Sequence, residues 1–564
     1  MRERKDKRTA SSVVISPRDS GAGRVAGIAA LVSMFSFFYY FRHGDVLLYG
    51  DAVAHINIAR RVVDSQTPGL FQLGTVWLPL PHLLMVPFLW SNALWQNGAG
   101  GSIPSMAGFI LAAVGMFRLV HGMLDSNLRT QSAAVAGAWV SVVVMVANPN
   151  LIYMQSTAMT ESLYLALFIW AVLFIAEFFR ALPKDAVLQA NDADAKQLAI
   201  SLRRCAWCVA AAELTRYDGW FLAGWMGAAV GIVALRRWND CALRGIAAKF
   251  ALGIAVVPVL WLAYNATVYG NPFEFANGPY SAKAIEQRVG APNPALHSIP
   301  TAAVYFLKSA QLNMAEGNWG RFWLSAAVLA LALALWKLGP QSLPMLFLWM
   351  PLVFYSYSIA FGSVPLHVHT WWPFATFNQR YGLQLLPLFA VSTGVLAAFV
   401  FRLSANGRHA GKLVALLLAL VVASYASVWK AQPQCFQEAE RNWEIRHTLN
   451  SAVERIVTRL PRRSIYLMDL GEHVGVMEDA GIPLRQVINN ENHRPWKRPT
   501  DPEGLWERAL ADPQHYVDYV ISFEGDPVDR FANKTNLVPL AEIHASGQPH
   551  AHIYATRRDP NQSR

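Results

Sequence analysis

Charged residues are scarce in this 564-residue chain. They make up 15% of it, against about 25% in soluble domains. That shortage excludes an ordinary soluble enzyme, and a hydrophobic content of 54% excludes a disordered or collagen-like chain. Cysteine is almost as rare, with four in all. Cys205 and Cys208 lie in a hydrophobic run, Cys241 in a basic loop, and Cys435 stands alone. The Cys205-Ala-Trp-Cys208 gap is that of redox and zinc motifs. No second pair or histidine set accompanies it, so the two read as helix packing and no disulfide framework is implied. A glycine-rich phosphate fingerprint is also missing: Asp469-Leu-Gly-Glu-His, after the first strand expected in the tail, lacks the glycine spacing.

Aromatic residues are plentiful. Twenty Trp, 29 Phe and 18 Tyr suit a chain with many membrane interfaces. Yet the mean hydropathy of +0.25 is low for a pure bundle of membrane helices, so a polar portion dilutes it. Charge locates that portion. Residues 431–564 hold 16 basic and 19 acidic residues, a net of −3, which leaves 32 and 18, a net of +14, for residues 1–430. The chain reads as a basic hydrophobic body at 25–430, preceded by a basic tail at 1–24 and followed by a soluble domain at 431–564. Basic cytoplasmic loops account for the pI, and no nucleic-acid partner is expected.

Apolar runs fall at 25–41, 103–121, 132–147, 160–179, 204–214, 217–235, 246–268, 321–337, 343–361, 381–402 and 411–429, giving about eleven transmembrane spans. A further run, Val76 to Trp95, is broken by Pro79, Pro81 and Pro87 and reads as a re-entrant or surface-lying helix. With a cytoplasmic N-terminus, the inside loops collect Arg118 and Arg129; Arg180, Lys184, Lys196, Arg203 and Arg204; Arg236, Arg237, Arg244 and Lys249; Lys337; and Arg402, Arg408 and Lys412. This follows the positive-inside rule. It places 42–102, 148–159, 215–216, 269–320, 362–380 and the tail outside, on one face of the inner (cytoplasmic) membrane. The tail reads as α/β: a helix at 438–460, strands at 464–469, 519–523 and 552–556, and a helix around 504–511. It is expected to bind or pack and to carry no chemistry.

The first outside loop holds the strongest chemical pattern. Asp51, His55 and Ile58–Ala59 recur at helical spacing, and Gly50-Asp51 suits a helix N-terminus. Asp51 as a simple helix cap is the plainer reading. Asp64, Pro68-Gly and Trp77-Leu-Pro79-Leu-Pro81-His82 then complete a long, charge-poor loop able to form a lid.

A Gly-Asp, a helix with His-x4-Arg, a Trp-x-Pro-Leu-x-His helix and Ile103-Pro-Ser-Met, in that order, resemble the GT-C superfamily of membrane glycosyltransferases. Met159-Thr-Glu161-Ser-Leu-Tyr164, Leu214-Thr-Arg216-Tyr217-Asp218-Gly219-Trp220, Gly270-Asn-Pro272 and Arg380-Tyr381-Gly-Leu-x-Leu-Leu-Pro387 are similar to segments of the protein O-mannosyltransferase and lipid A aminoarabinose transferase group. The resemblance runs through most of 25–430. Many members carry two adjacent acids in the first loop; here Ala52 follows Asp51.

The resemblance implies transfer of a sugar from a polyprenyl-phosphate donor to a glycan, lipid or protein acceptor at the outer membrane face, with inversion. Asp51 would be the base. Arg380, with Arg216 second, would hold the donor phosphate. His55, Asp64, His82 and Glu161 are lid, acceptor or metal candidates, and Trp371, Trp372 and Tyr381 could stack on sugar. Asp51, His55, His367 and His369 are the candidates for a divalent metal; no tightly bound cofactor is expected. The alternative is a polytopic transporter or lipid flippase, which calls for paired broken helices or internal repeats.

Overall fold

The computed structural model describes residues 17–74, 76–125, 131–183, 193–290, 292–403, 408–471, 473–492 and 504–556. Most of the expected basic tail, Arg129 and Lys184 lie outside them. The body is helical. Its helices are α1 (Pro17–His43), α2 (Gly50–Arg61), α3 (Pro79–Leu89), α4 (Ala99–Asp125), α5 (Gln131–Val146), α6 (Glu161–Ala181), α7 (Ala193–Glu213), α8 (Asp218–Arg236), α9 (Cys241–Tyr269), α10 (Gly320–Leu338), α11 (Met350–Phe361), α12 (Leu386–Leu403) and α13 (Arg408–Ala431), with shorter pieces between. Helix α14 (Gln434–Val457) leads into the tail.

Among the described residues, eight helical stretches are long and apolar enough to cross a bilayer, and a ninth is counted if α5 and the following helix Pro149–Gln155, bent by 64°, are one span. The chain is a multi-pass membrane protein. The expected eleven differ for two reasons. One stretch, Gly320–Phe361, has 42 residues, roughly 60 Å as a helix and twice the ~30 Å hydrocarbon core. It breaks where Gly339 turns to φ 60° and Pro340 follows, so its two halves match two of the expected runs. The apolar run 204–214 is only the end of α7, which begins at Ala193 and has 21 residues. Asp194, Lys196, Arg203 and Arg204 keep α7 out of a count made on hydropathy, but the helix runs back along α6, Cys205 lying against Ala171 and Arg216 beyond its end meeting Glu161 at the start of α6, as a crossing helix would. Helix α3 has 11 residues, about half a bilayer in length. Its backbone is pinned where Leu80 N–H donates to the carbonyl of Leu214 at 2.9 Å.

The centre of the body is α4, α5, α6 and α12, whose side chains are largely buried. Helices α1, α8 and α9 lie outside and turn Phe35, Leu235 and Leu252 outward, as lipid contact requires. Helices α4 and α6 approach closely along a glycine seam. Gly108, Gly115 and Gly122 recur every seven residues and face Leu163, Trp170 and Arg180 in turn. A Cβ at position 108 would sit 2.7 Å from the Leu163 backbone. Small residues at such a seam let membrane helices pack backbone to backbone. Cys205 is buried on α7 against Met226 at 3.8 Å, the packing role its sequence context suggested.

The tail carries a mixed sheet of β1 (Tyr466–Leu467), β2 (Val487–Ile488), β3 (Tyr519–Phe523), β4 (Leu537–Ile543) and β5 (Ala551–Thr556), in the order β2-β1-β3-β5-β4. β1 runs parallel to β2 and β3, and β5 runs antiparallel to β3 and β4. β2 and β4 were not legible in the sequence: β2 has two residues, and β4 is largely exposed.

The tail grips the first loop. Tyr49 Oη donates to the Cys435 carbonyl at 2.8 Å, and Asn57 Nδ2 donates to Glu478 Oε2 at 2.6 Å. Arg485 pairs with Asp64 at 3.1 Å.

Candidate active site

Asp51 enters through the start of α2. Tyr49, not Asp51, is the N-cap of that helix and makes no capping side-chain bond; Asp51 is its second residue. Its carboxylate pairs with the Arg380 guanidinium and stays 31% exposed. Arg380 comes from the tight helical turn Gln379–Leu385 that precedes α12.

Around this pair the ends of several elements converge on a cavity of about 160 Å³. Asp51 and His55 come from α2, Trp77 and Leu78 from the approach to α3, and Thr160 and Glu161 from the start of α6. Thr215, Arg216 and Asp218 come from the α7–α8 turn, Tyr355 from α11, and Arg380 and Tyr381 from the turn before α12.

Two arginines organise the cavity. Arg216 donates to Glu161 Oε1 at 3.1 Å, to Thr160 Oγ1 at 3.1 Å and to Tyr355 Oη at 3.0 Å, and lies 3.4 Å from Asp218. Tyr355 in turn donates to Asp218 Oδ2 at 2.9 Å. Arg380 touches three carboxylates: Asp51, Glu161 at 3.5 Å and Glu438 at 3.5 Å. Glu161 Oε1 is thus shared by both cations. The Tyr381 ring lies between them, 5.4 Å from the Arg216 guanidinium carbon and 5.5 Å from that of Arg380, within cation–π range.

Glu438 comes from α14, beyond the last span. It also accepts the backbone N–H of Asn378 at 2.8 Å and of Arg380 at 3.3 Å, so it fixes both the backbone and the side chain of Arg380. The tail, expected to carry no chemistry, reaches into this site.

His55 and His82 form a buried pair, Nδ1 to Nε2 at 2.8 Å, and His55 packs edge-on to Trp77. Burial, then the charges of Arg380 and Arg216, lower His55 to about 3. Burial and the neighbouring His55 and Arg61 likewise hold His82 well below the usual histidine range. Both rings are neutral at working pH, one donating to the other.

Several sequence candidates lie elsewhere. Asp64 is taken by Arg60 at 2.7 Å and by Arg485 and fastens the loop to the tail. Trp371 packs edge-on to Tyr305, and Trp372 is 54% exposed. Neither lines the cavity, because the chain folds back at the His367–Phe377 bridge and carries both away from it. Tyr381 alone of the proposed stacking residues is in place. His367 gives Nε2 to the Pro292 carbonyl at 2.9 Å.

Asp51, His55, His367 and His369 do not come together as a three-ligand set. With Asp51 on Arg380, His55 on His82 and two guanidinium groups in the wall, these residues do not fit a divalent cation. The sequence reading missed Asp218, Tyr355 and Glu438. Asp218 stood two positions from Arg216 in a segment already singled out; Tyr355 gave no signal within its apolar run.

No family model matches the chain, and no curated protein matches it. Solved structures do. The chain is similar to ArnT from Cupriavidus metallidurans bound to undecaprenyl phosphate, with 13% identity over 94% of this chain and 98% of that one and a TM-score of 0.49. The apo state of ArnT gives 13% identity, 95% and 98% coverage and 0.48. The archaeal oligosaccharyltransferase AglB from Archaeoglobus fulgidus, in complex with an inhibitory peptide and a dolichol-phosphate, gives 12% identity, 96% and 75% coverage and 0.46.

Proposed function

We propose that this chain is an integral membrane glycosyltransferase. It takes a sugar from a polyprenyl-phosphate donor and transfers it, with inversion, to an acceptor hydroxyl at the outer face of the cytoplasmic membrane. The N-terminus lies inside and residues 431–564 outside, the orientation that puts the basic loops in the cytoplasm. The observation that carries the reading is the Asp51–Arg380 pair at the cavity: a half-open carboxylate held against a buried cation.

The chemistry follows from that pair. A lipid phosphate entering the cavity competes with Asp51 for the Arg380 N–H groups, and guanidinium suits bidentate phosphate contact. Asp51, released from its partner, turns to the acceptor hydroxyl. The acceptor oxygen attacks the anomeric carbon as the carbon–oxygen bond to phosphate breaks. The electron pair leaves on the phosphate oxygen, where Arg380 stabilises the added charge. The hydroxyl proton passes to Asp51. Displacement from the face opposite the leaving group inverts the configuration, as in inverting hydrolysis with water replaced by the acceptor. Neutral His55 and His82 support the α2–α3 wall and carry no charge in the reaction.

Purified protein incubated with a panel of radiolabelled polyprenyl-phosphate sugars is expected to hydrolyse or transfer one of them, and Asp51→Asn to stop it. Absence of turnover with every donor, together with movement of labelled lipid across vesicles, would replace the reading by transport. Paired broken helices, which a repeat-built transporter uses, are not found among the described residues, where one bent pair occurs.

A further inference from the structure

The outer face of the β4–β5 hairpin gathers three histidines and a glutamate far from the cavity. In an antiparallel ribbon, alternate residues share a face and directly opposed residues lie side by side. The register pairs Glu542 with His552 and Ile543 with Ala551, so the next pair outward is His544 with His550. Glu542, His544, His550 and His552 therefore share one face. The opposite face holds Ala551 and Ile553, which are buried, so packing explains the inner residues and leaves the histidines unexplained.

Three of the four already converge. The ligand atoms of Glu542, His544 and His550 all lie within 4.8 Å of one another. His544 Nε2 is 3.3 Å from Glu542 Oε1, and the His544 and His550 rings meet edge to face at 4.2 Å. Tetrahedral zinc, with bonds of about 2.0–2.1 Å to nitrogen, spaces its ligands about 3.3 Å apart; small side-chain rotations close that difference.

The backbone beneath is fixed. Glu524 N–H donates to the His550 carbonyl at 2.8 Å, and His550 N–H donates back to Glu524 Oε2 at 3.3 Å. Gln548 in the turn accepts from Leu449 N–H of α14 at 3.3 Å.

We propose that this face is a zinc site, with His544, His550 and Glu542 as ligands and His552 as the fourth. Two or three imidazoles and one carboxylate suit Zn²⁺, whereas Ca²⁺ and Mg²⁺ call for oxygen ligands throughout. Bound zinc clamps the two strands together at the turn end of the hairpin, and β4 is the edge strand of the sheet.

The test uses the full-length protein in detergent, without a polyhistidine tag, stripped with chelator and dialysed against Zn²⁺. Zinc per chain is measured by mass spectrometry. The His544→Ala/His550→Ala double variant is expected to hold one equivalent less than the unaltered chain. His552→Gln is expected to bind the same equivalent more weakly. In hydrogen exchange, zinc slows residues 542–552 of the unaltered chain and leaves the double variant unchanged. All the substituted histidines are on the outer face, so folding is preserved. The same zinc content and affinity in the double variant, or exchange that zinc does not alter in the unaltered chain, would overturn the site.

Discussion

The two ends of the cavity use the same residue types to different effect. Arg216 is enclosed by Glu161, Thr160, Tyr355 and Asp218, and Tyr355 closes the ring by bonding Asp218. Arg380 is equally buried, but one of its three acids, Asp51, keeps a third of its side chain in the open. A cation whose partners are all buried can only be held; a cation with one exposed partner can exchange it. The Arg216 end is a brace between spans, and the Arg380 end is where substrate can compete.

The largest effect that tests this division is on Asp51. Asp51→Asn is expected to lower transfer by about 10²–10⁴-fold, the range for loss of a general base. The yield and thermal stability of the purified protein should stay near those of the unaltered chain, because the side chain is half-open. A donor-transfer assay beside a melting curve decides it; equal loss in both would make Asp51 a structural residue.

Next comes the contrast between arginines. Arg216→Ala leaves Asp218 buried without its cation and Glu161 with Arg380 alone, and breaking such a buried pair costs about 3–5 kcal/mol. It should appear as poor folding. Arg380→Lys keeps the charge but loses the fork, so it should raise KM for the lipid donor with little loss of stability. Similar melting losses in both variants would erase the distinction between brace and exchangeable site.

Glu438→Gln should act more gently. Asn378 and Arg380 N–H donate to separate carboxylate oxygens, so the amide keeps an acceptor for one of them and loses the charge. A fall in kcat of roughly tenfold, worth about 1.4 kcal/mol, is expected, with Glu438→Asp recovering part of it. Because Glu438 acts through Arg380, the donor KM should shift along with kcat.

The last effect concerns pH and the tail, and shows only as pH falls. His473 stacks on Phe523 with ring centroids 3.7 Å apart, and burial lowers it to about 4. Unfolded, it titrates near 6.5. Between those values the unfolded chain binds a proton that the folded chain refuses. The contribution is therefore complete above pH 6.5 and falls as pH drops towards 4, by at most ~1.4 kcal/mol per pH unit. His473→Gln removes this slope. Melting temperatures of variant and unaltered chain, compared from pH 7 to 4.5, should converge or cross as pH falls; a constant gap would show that the ring is not held neutral.

Much of the fold could be read from sequence because bilayer thickness imposes a length on apolar runs. Where the reading differed, length was the reason. The run at 204–214 is only the end of a helix that begins at Ala193 and carries Lys196, Arg203 and Arg204, whereas the break at Gly339-Pro340 falls between the runs 321–337 and 343–361, where the sequence had parted them. The site was partly legible. Asp51, Glu161, Arg216, Arg380 and Tyr381 all line the cavity; Asp51 showed by helical spacing in the first loop, and the others stand at the ends of apolar runs, where an ionisable or aromatic residue stands out. Trp371 and Trp372 stood out for the same reason and point elsewhere, because a chain reversal has no hydropathy signature. Tyr355 and Glu438 were invisible for opposite reasons. The tyrosine merges with an apolar run, and the glutamate sits in a helix with many charges, where its contact over 58 residues to Arg380 leaves no local mark.

That last contact bears on how the protein is made. Glu438 follows Arg380 by 58 residues, across α12 and α13, so Asp51, Arg216 and Arg380 are all in the chain before the acid that fixes the last of them. The machinery becomes whole only after the final span is threaded and α14 has folded back on the turn at 378–380. A protein truncated after α13 would therefore lack the bonds that Glu438 makes to the backbone of Asn378 and Arg380.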